Sequence, residues 1–178
     1  MILFLKRLFL EFMLDCRVLA AAVGGFFNAG DITPTGRLFV TRIKPDGSRE
    51  NLGLVCTKVV TDAGVAFIVD AFQNITEVET FRYHGSGTGV TAESAAQTAL
   101  VTEVETRATG TQLEGASANI YRTVGTVNYT ATRAITEHGI FSASSVGTML
   151  DRSLFAAINV VNGDAIEFTY ELTVPSGS

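Results

Sequence analysis

His84 and Ser86, set among Gly85, Gly87 and Gly89, are the residues whose types and spacing come nearest to chemistry. A histidine two positions before a serine offers a base beside a nucleophile. The strand-to-helix elbow that exposes such a serine needs glycine where His84 stands, so that motif is absent. The run Gly85-Ser86-Gly87-Thr88-Gly89 also invites comparison with loops that cradle phosphate on backbone N–H groups. A phosphate loop closes with Gly-Lys-Ser/Thr, and a dinucleotide fingerprint spaces its glycines G-x-G-x-x-G inside a βαβ unit. Here the glycines stand two apart and no parallel-sheet pattern follows, so the run reads as a structural loop.

The remaining polar candidates come no closer. Glu103 and Glu105 point to opposite faces of a strand and are not neighbours on a helix face. Glu137 and His138 alternate in the same way, which assigns them to surface or interface positions. His84 and His138 are the only histidines, each isolated in sequence, and ordinary neutral roles suit both. Cys16 and Cys56 fit neither a disulfide framework nor zinc spacing and read as buried thiols in a reducing compartment. The sequence therefore predicts no catalytic, cofactor-binding or metal-ligating residue. Asn74-Ile75-Thr76 and Asn128-Tyr129-Thr130 match the glycosylation sequon, which carries little weight without a secretory signal.

A chain of 178 residues suffices for one buried core and not for two large domains. Apolar residues at 47% exclude disorder, while charged residues at 17% are fewer than most monomeric surfaces carry, so a partner is expected to cover part of the surface. A net charge of −5 with no long basic run argues against nucleic acid as that partner.

Residues 1–30 are the most apolar stretch, yet Lys6, Arg7, Glu11, Asp15 and Arg17 interrupt it too often for a membrane span, which needs about twenty apolar residues in a row. A secretory signal fits poorly, because the apolar stretch precedes the basic pair and carboxylates follow it. Leu5, Leu8, Phe9, Phe12 and Leu19 fall near helical spacing, opposite Arg7, Glu11 and Asp15. That pattern suits an amphipathic helix, packed on its own domain or lying as an arm on a partner. Gly24, Gly25, Asn28, Gly30 and Pro34 form a joint, which divides the chain into an arm at 1–34 and a folded domain at 35–178.

Within that domain, residues 37–44 and 52–60 flank Pro45-Asp46-Gly47-Ser48 and predict a hairpin. Thr61-Asp62 caps a short buried helix over 63–72, and Thr91 caps a helical turn beginning near Ala92. Phe81-Arg82-Tyr83 reads as a strand entering the glycine loop, and 121–132 and 134–141 add two β-rich runs. Ile166, Phe168, Tyr170, Leu172 and Val174 alternate with polar residues, so one face of a last strand lies in the core. Leu150, Leu154, Ala156, Ile158 and Val160 share one parity before Asn162-Gly163, and 148–175 therefore predicts a second hairpin. Many short strands with glycine turns make the fold class mainly β: an antiparallel β-sandwich or jelly roll with one or two short helices and an N-terminal arm. Glu137 and Arg152, on neighbouring runs, are expected to pair across the sheet as an exposed pair worth about 0–1 kcal/mol.

Several phrases also stand in a telling order. Gly87-Thr88, Thr91-Ala92 and residues 96–104 with Arg107 come first; Ile135-Thr136-Glu137-His138-Gly139-Ile140-Phe141, Gly147-Thr148-Met149-Leu150-Asp151-Arg152 and Asn162-Gly163-Asp164 follow. Over residues 55–175 this order resembles a module that recurs in virion proteins of tailed bacteriophages. The resemblance implies a non-enzymatic particle protein, either a capsid cement (decoration) protein on the outer surface of the head or a tail-fibre or baseplate adaptor. As a cement protein its partners would be the major capsid protein and further copies of itself, as a trimer, with no nucleic acid and no membrane. Residues 1–30 depart from the shared module, so attachment is assigned to them. Leu3, Phe4, Leu5, Phe9, Phe12, Phe26 and Phe27 are the expected apolar anchors, and each fully buried Phe or Leu would contribute about 1.5–3 kcal/mol.

Overall fold

Alternate residues of β1 (Thr35–Ile43) and β9 (Ala165–Thr173) turn inward and are buried, and a strand with one apolar face must lay that face against another layer. The computed structural model describes residues 34–77 and 81–175, and Thr33–Pro175 form one compact unit. The other strands are β2 (Arg49–Val60), β3 (Tyr83–Gly87), β4 (Glu103–Thr109), β5 (Thr111–Glu114), β6 (Ile120–Asn128), β7 (Arg133–Phe141) and β8 (Met149–Val160). They make two antiparallel sheets packed as a β-sandwich. Sheet A has the order β5-β6-β9-β1-β2 and sheet B the order β2-β8-β7-β3-β4, with β2 common to both. Residues 49–58 of β2 pair with β1, whereas Val59 and Val60 pair with Arg152 and Asp151 of β8. On the far side, only Gly110 separates β4 at the edge of sheet B from β5 at the edge of sheet A.

The first hairpin forms as its turn residues dictate. Gly47 adopts φ 81°, Gly47 N–H donates to Lys44 O and Ser48 N–H donates to the Asp46 carboxylate. Between the sheets, Leu38, Val40, Ile166 and Phe168 meet Ile135, Phe155, Ile158 and Val160 in the main apolar cluster. The helix α1 (Asp62–Phe72) is capped by Thr61, whose hydroxyl accepts from Gly64 N–H and donates to Met149 O. It closes one end of the sandwich. Phe67 and Ile68 pack on Phe81, Ile140, Leu150 and Leu172, and the Phe67 and Phe81 rings meet edge to face with centroids 4.5 Å apart.

The structure departs from the sequence expectations in six places. Residues 148–175 are not a hairpin: β8 pairs with β7 and β2, while β9 pairs with β1 and β6. The Asn162-Gly163 turn, with Gly163 at φ 90°, instead carries the chain from one sheet to the other. Two backbone bonds with Tyr129 hold it there, Gly163 N–H to Tyr129 O and Tyr129 N–H to Asp164 O. The single parity expected along β8 breaks where Leu154 and Ile158 face Glu137 and Ile135. That bulge turns Phe155 inward and leaves Ala156 exposed. The expected glycine loop is largely the buried strand β3, because a Cβ on Gly85 would lie 2.9 Å from the Phe141 ring and the missing side chain admits the neighbour.

No helical turn forms at Ala92, since backbone groups there bond to the rest of the domain, Thr91 O to Arg152 and Ala95 O to Asp62 N–H. One helix is present among the described residues, within the one or two expected. Nor is α1 buried all round: Val65, Val69 and Phe72 face solvent. Cys56 is half-buried, its Sγ directed at Thr57 O and the Glu93 carboxylate, and the expected burial of its thiol is not met. Cys16 and the arm at 1–30 lie outside the described residues.

Gly64 tests how tightly α1 is seated. Alanine favours a helix interior by about 0.8–1.0 kcal/mol over glycine, but a Cβ here would lie 2.6 Å from Leu150 O and 2.8 Å from its Cα. Backbone cannot yield as a side chain does, so Gly64→Ala is expected to destabilise the domain by about 1–3 kcal/mol in urea unfolding. A gain in stability would show that α1 is free to shift off β8.

Candidate functional site

The chemical groups collect on the two faces of sheet B. On its inner face the register sets Ser86 of β3 beside His138 of β7, and His138 beside Ser153 of β8. His84 Nδ1 lies 3.1 Å from His138 Nε2 and His84 Nε2 lies 3.2 Å from Thr123 Oγ1, so both ring nitrogens of His84 are engaged. Glycines in β6 and between β4 and β5 make room for the His84 ring. A Cβ on Gly125 would lie 2.5 Å from His84 Cδ2, and one on Gly110 would lie 2.7 Å from Nε2. The His138 ring rests on Phe168 with centroids 4.4 Å apart.

Tyr129 donates to Ser86 Oγ at 3.0 Å, and burial raises its phenol, which keeps the proton on the donor. The Tyr170 phenol is raised too, by burial first and then by the carboxylate of Asp151. Sequence separation concealed this meeting of the two histidines, 54 residues apart. His84, Ser86, Thr123, His138, Asp151 and Ser153 are all 0% exposed, and Ser86 Oγ is engaged by a phenol. A substrate has no route to them in this conformation. What the cluster can do is tie the inner faces of the two sheets together at one register.

The outer face of sheet B carries the second cluster. Gly85, Gly87 and Gly139 leave a floor without side chains, over which residues 88–102 run as a strap. Leu100 packs there against Phe141 and Met149. One carboxylate fastens the strap. Glu137 Oε1 accepts from Gly89 N–H at 3.0 Å and Thr102 N–H at 2.8 Å; Oε2 accepts from Val101 N–H at 3.1 Å and from Arg152 Nε at 2.9 Å. Arg152 Nη2 is 2.8 Å from the same oxygen, and Nη1 donates to Thr91 O and Gln97 Oε1, both 3.0 Å away.

The two side chains are 0% and 1% exposed, so the expected cross-strand pair is present but buried rather than exposed. Glu137 and His138 also prove to be core residues and not surface ones, because the strap covers one face and sheet A the other. Burial opposes the Glu137 charge. The N–H groups of Thr102 and Val101, the guanidinium and Gly89 N–H together outweigh it and hold the carboxyl below its ordinary value.

Glu103 and Glu105 have separate partners and form no acid/base pair. Glu103 chelates Arg107, whose guanidinium lies 3.4 Å over the Phe141 ring, and Glu105, at φ 58°, accepts from Thr130. Among the described residues no group of three or more His, Cys, Asp or Glu side chains is placed to hold a metal ion. A depression of about 200 Å³ is lined by Arg42, Glu50, Leu52, Ala157, Ile158 and Asn159; the Arg42 guanidinium is committed to Asp164 at 2.7 Å. The anchors Leu3, Phe4, Leu5, Phe9, Phe12, Phe26 and Phe27 lie outside the described residues. Comparison with protein-family models, with curated proteins and with solved structures gives no match.

The clamp generates two predictions. Glu137→Ala strands a buried guanidinium and leaves three strap N–H groups without their acceptor, so unfolding free energy should fall by about 3–5 kcal/mol in urea titrations. A loss under about 1 kcal/mol, the size of an exposed pair, would contradict the burial argument. The second concerns pH. The Glu137 carboxyl is lower in the folded chain than its ordinary value of 4.5, so its contribution is complete above that value and is lost as pH falls through the folded one. The stability gap between wild type and Glu137→Ala should therefore narrow as pH is lowered from 6 toward and below the folded value; a constant gap would overturn the assignment.

Proposed function

We propose that this chain is a non-enzymatic capsid cement protein of a tailed bacteriophage, which binds the outside of the head and stabilises contacts between major capsid protein subunits. One observation carries the reading. The phrases by which the sequence resembles the virion module lie far apart in the chain, yet Gly89, Thr91, Gln97, Val101, Thr102, Glu137 and Arg152 converge on a single clamp. Residues held together by a fold-fastening device suit a building block. The commitment of the histidines, serines and buried carboxylates to interior contacts supports the same reading.

The work of such a protein is mechanical. Packaged DNA presses outward on a shell, and a clamp spanning several subunits adds interface where they would otherwise part. Many attachments per shell make a modest single contact effectively permanent. The apolar arm at 1–30 supplies the anchors in this reading, on the shell or on a sister subunit, and the sandwich supplies the rigid body that carries them.

Copy number per purified virion, measured by quantitative mass spectrometry against the major capsid protein, tests the assignment. A ratio near one to one is expected; a few to some tens of copies would move the chain to the tail as a fibre or baseplate adaptor, and absence would overturn both. Removal of residues 1–30 should leave a domain with an unchanged melting temperature that no longer binds heads. Undiminished head binding would remove attachment from the arm.

A further inference from the structure

The two sides of the sandwich are finished differently. The strap covers sheet B, whereas no described element covers the outer face of sheet A. The register of β6, β9, β1 and β2 sets Val124, Thr169, Phe39 and Leu54 in one row across that bare face, and Leu54 is 46% exposed. Arg122, Glu171 and Arg37 form the row on one side of it; Glu167 and Arg49 lie on the other. The Arg37 and Arg49 side chains remain about half exposed even with carboxylate partners at 4.0 and 2.5 Å. Three arginines stand against two glutamates here, a positive face on a chain whose net charge is −5.

The end of the sandwich shows the reverse. Helix α1 spends Gly64, Phe67 and Ile68 on its own domain and turns Val65, Val69 and Phe72 outward at i, i+4 and i+7, with Phe72 84% exposed. The charges beside that stripe are Asp62 and Asp70, both exposed, and α1 contains no basic residue. One surface is apolar with acidic flanks; the other sets Val124, Phe39 and Leu54 with Thr169 between flanks of three arginines and two glutamates.

We propose that these two surfaces bind each other between copies of the chain, the α1 stripe of one protomer lying across the bare face of sheet A in the next. A helix stripe on a sheet face is how sheets ordinarily bury an apolar side, here supplied by a neighbour. Opposite charges on the two patches favour this pairing over stripe on stripe or face on face. Because the patches differ, the contact is heterologous, and each protomer engages one neighbour through α1 and another through sheet A. Repetition closes a ring or extends a chain, depending on the rotation between protomers. This deepens the homo-oligomer of the cement reading and rests on that reading only for its biological use, since self-association is measured without shells.

Light scattering on the full chain and two variants tests it. Phe72→Lys and Leu54→Glu alter exposed side chains, and unchanged melting temperatures certify their folds. Wild type should have a mass that is a multiple of 18.9 kDa, and each variant alone should have the mass of one chain. Mixed one to one, the variants should form a heterodimer, because the Phe72→Lys chain keeps an intact sheet face and the Leu54→Glu chain an intact helix. A monomeric wild type, a variant that keeps the wild-type mass, or a mixture that stays monomeric each overturns the proposal. Head binding by the monomeric variants is measured separately, so failure of self-association and failure of the cement reading are told apart.

Discussion

The ion pair between Glu137 and Arg152 is the interaction on which the outer half of the domain depends. Removing two charges from water costs several kcal/mol per ion, and attraction in the interior offsets this only when the remaining hydrogen-bonding positions are filled. Here the strap fills most of them, with three N–H groups on the carboxylate and a carbonyl and an amide oxygen on Nη1 of the guanidinium. The dependence runs both ways. The strap supplies the bonds that make the buried charges tolerable, and the charges satisfy strap N–H groups that run beside no ladder. An apolar pair at these positions could fill the volume but could not end those bonds, so the placement of residues 88–102 would lose its main determinant.

The same economy appears on the inner face, where imidazole rings sit between sheets and glycines face them. Gly125 lies on β6 of sheet A, Gly110 at the crossing between the sheets and His84 on β3 of sheet B, and the fit of ring to vacancy can be met only at one alignment of the two layers. Apolar residues slide over one another at small cost, whereas a hydrogen bond between His84 and Thr123 weakens steeply with a small displacement. The polar centre therefore specifies what the surrounding Leu, Ile and Phe side chains only drive.

Much of the architecture was legible because period-2 patterning is a direct record of one-sided burial. The alternation in β9, the Pro-Asp-Gly-Ser turn and the Thr61 cap could each be read from neighbours in sequence. Contacts between distant residues were not legible. Asn162-Gly163 has the residues of a hairpin turn, but which sheet receives the next strand is decided by pairing with β1 and β6. The burial of Glu137 depends on a strap that local propensity assigned to a helical turn, and the His84–His138 contact depends on β3 being a strand. A run rich in glycine reads as a loop until something large is known to pack against it, and here Phe141, Leu100 and Glu137 do so. The outward stripe of α1 was hidden for the converse reason: an apolar helix looks buried whatever covers it.

The position of β9 inside sheet A has a consequence for when that sheet can come into being. It is bonded on one side to β1, with Thr35 opposite Thr173, and on the other to β6, so residues near the start of the domain wait for those near its end. Sheet A cannot assemble while the chain is still short of residue 173, whereas the β7–β8 pair closes across few residues and is available earlier. Long-range closures of this kind are slow, and β1, hairpinned with β2 on one side, meanwhile offers its other edge and its apolar face to whatever else is in solution. Assembly of the domain is thus timed by its last strand, and crowding during synthesis bears hardest on its first.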